Sequence, residues 1–236
     1  MSAVAIIPAR GGSQRIPRKN LKLFNGQPMI VWSIRAAVAS GVFDRIVVST
    51  DDPQIAAIAL AHGAEVPFMR PVELADAFTG TSAVIQHAIA ALADQGSSFD
   101  FVCCIYATAP LLQARYLRQG LEMLQSAPAK SYVFPVCSFG FPLQRALLIE
   151  PDGGLAPMYP QFRETRSQDL PVAYQDAGQF YWGRSDAWLR GDVVFSALSL
   201  PITLPRHLVQ DIDTEEDWRR AEFLYAALKA GGGLEG

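Results

Sequence analysis

Residues 4–20 read VAIIPARGGSQRIPRKN, and this stretch decides the class of fold. Val4 to Pro8 is a short, continuous apolar run, which indicates a strand buried on both faces of a sheet. The polar loop that follows, Ala9 to Asn20, contains two adjacent glycines. In an open α/β sheet this loop lies at the carboxyl edge of the first strand, where ligands bind. Adjacent glycines would let backbone N–H groups approach an anion closely there.

Strands and helices alternate over the next part of the chain. The expected strands are 45–49, 65–68, 101–106 and 131–137, and the expected helices begin near Pro28, Asp51, Thr81 and Ala114. Such alternation implies right-handed crossovers and a parallel sheet that is covered on both faces. We therefore predict an α/β fold, with a mostly parallel, Rossmann-like sheet and helices on both of its faces.

The alternation stops at 138–173, where five prolines and the Gly153-Gly154 turn leave no helical period of useful length. We predict a small β-rich insertion there, with a hairpin or two, that leaves a main domain of 1–137 and 174–236. Its apolar residues have no periodic element to bury them, which favours packing on a second subunit. After the insertion, Gln179 to Trp182 resumes the sheet, and Thr214 begins a capping box for a final helix.

Composition excludes several classes of protein. Half of the 236 residues are apolar and the net charge is −3, which indicates a globular protein and argues against a nucleic-acid partner. No apolar run approaches the roughly 18 residues that span a membrane. The N-terminus has no basic region before its apolar run, and the three cysteines have no metal-ligand spacing. We expect a cytoplasmic protein with no membrane partner and no structural zinc.

Charge is distributed unevenly. Met1 to Phe43 contains no Asp or Glu, and its cations are Arg10, Arg15, Arg18, Lys19, Lys22 and Arg35. A positive field on an otherwise acidic protein suits a small polyanion such as a nucleoside triphosphate. A solvated basic face is the alternative, but five of these charges crowd the glycine-containing loop. The loop matches neither the ATPase nor the dinucleotide glycine pattern.

The second chemical feature is the pair Asp211 and Asp213. Residues two apart in an extended segment project to the same side, so both carboxylates face together while Ile212 turns into the core. Two carboxylates on one side suit Mg²⁺, which commonly also binds substrate phosphates. The alternative is an acidic turn that favours the dipole of the following helix. That alternative explains Asp213 better than Asp211.

Four stretches, 6–20, 43–51, 70–74 and 211–214, resemble in order the motifs of the CMP-sialic acid synthetase family. The resemblance implies a nucleotidyltransferase that joins CMP from CTP to an acidic nine-carbon sugar and releases pyrophosphate with Mg²⁺. It also implies a homodimer. Stretches 104–110 and 176–182 are most similar to the members that act on pseudaminic acid, with sialic and legionaminic acids as alternatives.

The resemblance also implies roles for matching residues. The catalytic residues would be Arg10, Lys19, Asp211 and Asp213, and the last two would hold the metal. The nucleotide would be bound by Ala9, Arg10, Gly11, Gly12, Ser13, Arg15, Asn20, Arg70 and Thr81. The sugar would be bound by Tyr106, Arg166 and Gln179, with apolar surface from Phe139, Phe141, Phe162, Tyr174 and Phe180. One departure is Gln14, which stands where the family usually has Lys.

Two rival functions use similar residues. A glycosyltransferase also holds metal and nucleotide with Asp-x-Asp, but it typically carries that motif in mid-chain with an acceptor domain beyond. Here the pair lies close to the end of the sequence, and the basic first loop suits a triphosphate better. A non-catalytic nucleotide-sugar sensor is the other rival. The set of Arg10, Lys19, Asp211 and Asp213 disfavours it.

Overall fold

A computed structural model describes residues 1–76 and 78–233. Its strands are β1 (Ala3–Pro8), β2 (Leu23–Phe24), β3 (Gln27–Pro28), β4 (Arg45–Ser49), β5 (Phe101–Ile105), β6 (Tyr132–Ser138), β7 (Leu147–Ile149), β8 (Leu155–Pro157), β9 (Tyr174–Asp176), β10 (Phe180–Arg184) and β11 (Ser199–Thr203). Its α-helices are α1 (Met29–Ser40), α2 (Pro53–Ala61), α3 (Thr81–Asp94), α4 (Ala114–Ser126), α5 (Ser185–Arg190) and α6 (Glu215–Ala230). None of these helices is long and apolar enough to cross a membrane.

The central sheet has the strand order β11-β6-β10-β5-β1-β4, and β9 pairs with β6 beside that path. Strand β1 is parallel to both β4 and β5, and β11 is parallel to β6. Strand β10 lies antiparallel between β5 and β6. Most strands therefore share one direction, and the predicted α/β class with a mostly parallel sheet is confirmed.

Helices cover both faces of the sheet, as predicted. On one face α1, α2 and α4 pack on the sheet through a cluster that includes Ile34, Ile55 and Leu117. On the other face α3 and α5 contribute Ile85 and Trp188 to a second cluster. Apolar residues at helical spacing produce these layers, because each helix buries only one stripe.

Helix α6 anchors the end of the chain to the first loop. Its Trp218 and Tyr225 pack edge-on against Phe24, each with ring centroids 5.6 Å apart. Ile16 and Ile212 are buried in the same cluster. The predicted capping box is present: Thr214 accepts from the backbone of Asp217, and the carboxylate of Asp217 accepts from the backbone of Thr214. The acidic pair before α6 is thereby held beside the loop after β1.

Some elements differ from the expectations. The strand predicted at 65–68 is a single bridge between Val47 and Glu65, and Pro67 has no backbone N–H with which to extend the pairing. Helix α3 begins at Thr81 with Gly80 as the preceding cap residue, so Thr81 does not cap it. Strand β11 and helix α5 were not predicted.

Residues 138–173 leave the sheet after β6. They form the β7–β8 hairpin, in which Leu148 pairs with Ala156, and three turns of 3₁₀ helix. Strand β9 then returns the chain to β6, where Ser138 pairs with Tyr174. The hairpin exposes apolar side chains on both strands, including Ile149 and Leu155.

Candidate active site

A cleft of about 430 Å³ opens at the carboxyl edge of β1. Most of the residues predicted to bind nucleotide line it, namely Arg10, Ser13, Arg15, Asn20, Arg70 and Thr81, together with the catalytic candidate Lys19 and the sugar candidate Tyr106. None of the described residues that line it is acidic. The cleft is therefore a basic site, placed where an open α/β sheet binds ligands.

The loop after β1 is tied to the end of β4. The backbone N–H of Gly11 donates to Asp51 Oδ1 at 2.9 Å, and Asn20 Nδ2 donates to the Arg10 carbonyl at 2.9 Å. A Cβ on Gly11 would lie 2.8 Å from Asp52 Oδ2, so a larger residue there would displace the Asp52 side chain. Arg18, in a left-handed backbone conformation, donates to the same Asp52 at 2.9 Å.

Of the two glycine N–H groups expected to face an anion, that of Gly11 is used inside the protein instead, as is the N–H of Ser13. The Gly11 N–H binds Asp51, and the Ser13 N–H donates to the Gly11 carbonyl at 3.1 Å. The loop closes on itself and on β4, which turns these two groups away from a ligand. Side-chain cations therefore supply most of the positive charge in the cleft.

Arg70 forms the buried wall of the cleft. Its Nε donates to Ser49 Oγ at 3.1 Å, and its Nη2 donates to the Ser49 carbonyl. Burial lowers the pKa of Arg70 to about 10, and nearby Asp51 opposes that shift. The guanidinium stays charged at neutral pH. Arg10 projects from the facing loop and donates to the Asp76 carbonyl.

Lys19 links the basic loop to the acidic pair. Its Nζ donates to the Ile212 carbonyl at 2.5 Å and lies 3.6 Å from Asp213 Oδ1. Arg15 Nη2 lies 2.8 Å from the same carboxylate oxygen. Desolvation lowers the pKa of Lys19, while Asp213 and Asp211 oppose that effect. The basic loop after β1 and the acidic pair before α6, far apart in sequence, are therefore joined by ion pairs.

Asp211 and Asp213 flank Ile212, whose side chain is fully buried. Desolvation raises the pKa of Asp211, and the negative charge of Asp213 raises it further. A divalent cation would relieve this repulsion, and Mg²⁺ typically needs only one or two carboxylates beside phosphate oxygens and water. The donor set therefore fits Mg²⁺. No group of three or more His, Cys, Asp or Glu side chains that could hold a metal occurs within 1–76 and 78–233.

Other predicted residues do not line the cleft. Arg166 lies in the insertion, exposed and paired with Asp169 at 2.8 Å. Gln179 is buried, and its side chain donates to the Leu208 carbonyl at 2.6 Å. Ala9 is buried under the loop, and Gly12 has open space around it.

The expected apolar sugar wall is wrong at Phe180. This side chain has no exposed surface, because it packs in the core under α4. Phe141 and Tyr174 are exposed on the insertion and on β9.

The structure adds cleft residues that the sequence analysis did not assign. Gln14 lines the cleft, so the positive charge that the family's usual Lys would supply is missing from the site itself. Thr79, Val84, Ala107 and Thr108 also line it. Ala107 and Thr108 directly follow Tyr106 at the end of β5. A position just after a strand of the sheet could have identified them as site residues, because ligands bind at that edge. A second cavity of about 450 Å³ shares Thr81 and Tyr106 with this cleft.

A basic cleft beside two carboxylates, at the carboxyl edge of this sheet, defines the class as a nucleotidyltransferase. Residues 4–141 match the sequence model of the cytidylyltransferase family, and the chain belongs to that family. The enzyme class and the family resemblance predicted from the motifs are thereby confirmed.

Curated relatives are similar over nearly the whole chain. The pseudaminic acid cytidylyltransferase of Campylobacter jejuni subsp. jejuni serotype O:23/36 (strain 81-176) is 45% identical over 95% of this chain and 97% of that protein. The CMP-N,N'-diacetyllegionaminic acid synthase of Legionella pneumophila subsp. pneumophila is 33% identical over 95% and 96%.

Among solved structures, a CMP:2-keto-3-deoxy-manno-octonic acid synthetase complexed with CTP superposes with a TM-score of 0.69. It is 17% identical, and the match covers 96% of this chain and 99% of that one. At that identity the likeness shows the fold alone.

Proposed function

We propose that this chain transfers CMP from CTP to the anomeric hydroxyl of an acidic nine-carbon sugar, pseudaminic acid, and releases pyrophosphate. The observation that carries the proposal is the joining of the basic cleft to the acidic pair through Lys19 and Arg15 on Asp213. A triphosphate needs the cations, and its metal needs the carboxylates. The convergence of these residues supports a site that handles both at once.

The reaction is an in-line displacement at the α-phosphorus of CTP. The sugar oxygen forms a bond to phosphorus, the bond to the pyrophosphate oxygen breaks, and the hydroxyl proton leaves to solvent. Arg10 and Lys19 neutralise charge that grows on the transferring and leaving oxygens, so their effect is largest in the transition state. Arg15 is a further cation at the same cleft.

Four side chains are assigned to the cytidine nucleotide: Ser13, Asn20, Arg70 and Thr81. Asn20 and Arg70 are buried and already held by hydrogen bonds to the Arg10 carbonyl and to Ser49. Fixed donors of this kind recognise a ligand at low entropic cost. Ala9, Gly11 and Gly12 complete the loop, and Gly12, which has open space around it, allows close approach of the nucleotide.

Asp211 and Asp213 are assigned to Mg²⁺. When bound, the ion polarises phosphate oxygens and orients the triphosphate. Arg15 and Lys19 form ion pairs with Asp213 in this structure. Both cations are therefore positioned to contact triphosphate oxygens beside the metal. Desolvation and the charge of Asp213 raise the pKa of Asp211, and the second of these causes, the neighbouring negative charge, also favours a bound cation.

Pseudaminic acid is proposed as the preferred sugar because two Campylobacter jejuni pseudaminic acid cytidylyltransferases are 45% identical to this chain over 95% of its length. The legionaminic acid synthase is 33% identical. Tyr106, at the wall of the cleft, is assigned to the sugar. Arg166 remains a candidate for its carboxylate only if the insertion moves or a second subunit contributes.

The proposal is tested by incubating the protein with CTP, Mg²⁺ and either pseudaminic or sialic acid while pyrophosphate is measured. We expect Mg²⁺-dependent release with a higher kcat/KM for pseudaminic acid. The preference need not exceed about 100-fold, because an apolar pocket rejects an added hydroxyl only modestly. Equal or better use of sialic acid would defeat the sugar assignment and leave cytidylyl transfer intact.

We also propose a homodimer formed through the insertion, 138–173. The β7–β8 hairpin exposes Ile149 (79%) and Leu155 (68%), which pair across its two strands, and Phe141 of the same insertion is 87% exposed. Clustered apolar side chains of this kind mark interaction surfaces.

A further inference from the structure

A third cavity, of about 420 Å³, lies between α1, the start of α4 and the end of α6. It shares no lining residue with the nucleotide cleft. The segment after β5 separates the two spaces, because Ala107 and Thr108 line the cleft whereas Leu112 and Gln113 line the cavity. The cavity is therefore a separate space of nearly the same size as the cleft.

One wall of this cavity is aromatic. Trp32 of α1 and Tyr225 of α6 line it, with ring centroids 5.0 Å apart and ring planes at 66°. Trp32 Nε1 donates to the Phe24 carbonyl at 3.1 Å, which fixes the orientation of the indole. The Trp32 side chain is only partly buried. A fixed and partly exposed indole is a surface on which a flat ring can stack.

The charge of the cavity is positive. Arg35 and Lys229 line it, and none of the described residues in the lining is acidic. Arg35 lies over the Trp32 ring, with its Cζ atom 5.8 Å from the ring centroid. Helix α4 begins at Ala114, also in the lining, and no side chain in the described part of the chain caps it. The partial positive charge of this helix end adds to the two cations. Two cations suit a dianion better than a triphosphate.

Gln113 supplies a buried polar group to the same cavity. Its side chain is 2% exposed, and its Nε2 donates to the Gly233 carbonyl at 2.9 Å. Its Oε1 is buried and has no hydrogen-bond donor among the described residues. A buried acceptor without a donor is costly. An N–H group of a ligand that reaches this wall would satisfy it.

We propose that this cavity binds a nucleoside monophosphate whose base carries an amino group. The base stacks on Trp32 and donates to Gln113 Oε1, and the phosphate binds Arg35 and Lys229 at the start of α4. A flat ring, an N–H donor and a dianion are the three features that the lining requires. A transferase that consumes a CMP-activated sugar leaves CMP. The choice of CMP as the probe therefore rests on the proposed function, whereas the lining itself requires only the class.

The site is tested by titrating CMP, in a calorimeter, into wild-type protein whose cleft is filled with excess CTP and Mg²⁺ in the absence of sugar. We expect one CMP to bind per chain. Lys229→Ala should raise the Kd for CMP about 5- to 10-fold, a modest loss because the ammonium is exposed. Cytidine has no phosphate, so its Kd should change less than about twofold in the same variant. Arg219→Ala, an exposed cation of α6 outside the lining, should behave as wild type.

A second pair of ligands tests the contact with Gln113. UMP carries a carbonyl where CMP carries its amino group, so it should bind wild type about 5-fold more weakly or worse, because two acceptors then face each other. Gln113→Leu should remove most of this difference between CMP and UMP. Thermal melts of the variants report any loss of folding.

The absence of CMP binding to the CTP-filled protein would overturn the site. So would CMP binding that Lys229→Ala leaves unchanged, or a loss in that variant that is equal for CMP and cytidine. Equal binding of CMP and UMP by wild type would overturn the orientation of the base. A protein that binds no CTP in the first step would count against the proposed function, and the titration with CMP would then test the cavity alone.

Discussion

At the residue scale, the acidic half of the site places two carboxylates close enough for their negative charges to repel each other. Asp211 and Asp213 share one side of an extended segment, and desolvation together with Asp213 raises the pKa of Asp211. A carboxyl whose pKa is higher in the folded than in the unfolded state costs folding free energy once it ionises. Functional sites commonly retain such costs.

Asp211→Asn should therefore separate activity from stability. We expect kcat to fall about 100-fold or more, because the metal loses a ligand. In metal-free buffer at neutral pH the Tm should be unchanged or higher, because the variant removes the ionisation cost. Steady-state kinetics and thermal melts at several pH values check this. Near-normal Mg²⁺-dependent activity would reject the metal assignment, and Asp186→Asn is the matched control.

Arg10→Ala should reduce kcat more than it weakens binding of CTP, because the charge on the leaving group grows in the transition state. Loss of a single stabilising donor typically costs about 10²- to 10³-fold in kcat. Arg219→Ala is the matched control, since Arg219 is an exposed cation of α6 that does not line the cleft. A variant altered only in its KM for the sugar contradicts the role.

Sequence reasoning located the cations and carboxylates because each group is local in the chain. It did not locate the hydrogen bond that the Tyr181 hydroxyl donates to Asp176 Oδ2. That contact depends on where two strands enter the sheet. Asp176 pairs with Val136 on β6, while Tyr181 pairs with Cys104 on β5. Neither pairing leaves a local signal in the sequence.

At the element scale, β10 was predicted as a strand of the sheet, but its antiparallel direction was not. It lies antiparallel between β5 and β6, and no helix connects it to either strand in the usual right-handed unit. Strand β11 contains Pro201 and, among the described residues, pairs with β6 alone at the edge of the sheet. Proline within a short run weakens a strand signal, which is why β11 was missed.

Packing between α4 and β10 gives a prediction opposite to helix propensity. Gly120 lies within α4, and a Cβ there would come 2.5 Å from Trp182 Cδ1. Gly120→Ala should destabilise the fold by about 1–3 kcal/mol through overpacking, although alanine favours a helix by up to about 1 kcal/mol. Denaturant melts measure the change. Gln119→Ala, on the exposed side of α4, should stay within about 0.5 kcal/mol, and a stabilised Gly120→Ala would refute the packing account.

At the scale of the whole molecule, the chain combines a covered sheet with a hairpin that has no core of its own. Strands β7 and β8 both expose apolar side chains. The prolines of 138–173 predicted a break in the sheet, and the β7–β8 hairpin was the expected kind of element. The fold of one chain gives this hairpin no partner among the described residues that would bury Ile149 or Leu155.

The proposed dimer is tested by placing charge on that hairpin. Ile149→Asp combined with Leu155→Asp should shift the protein from dimer to monomer and reduce activity, while the secondary structure stays native. Light scattering at assay concentration measures the mass. Phe223→Asp, an equally exposed apolar position on α6, should leave the dimer intact. A fully active wild-type monomer would reject the dimer.

The central claim is that the basic cleft and the acidic pair together transfer CMP to an acidic sugar. The most direct measurement is a ³¹P NMR spectrum of the reaction of wild-type protein with CTP, Mg²⁺ and pseudaminic acid. The account predicts equal amounts of a sugar phosphodiester of CMP and of pyrophosphate, both abolished by a chelator. Free cytidine nucleotide without the phosphodiester, or unchanged CTP with every nonulosonic acid supplied, would contradict it.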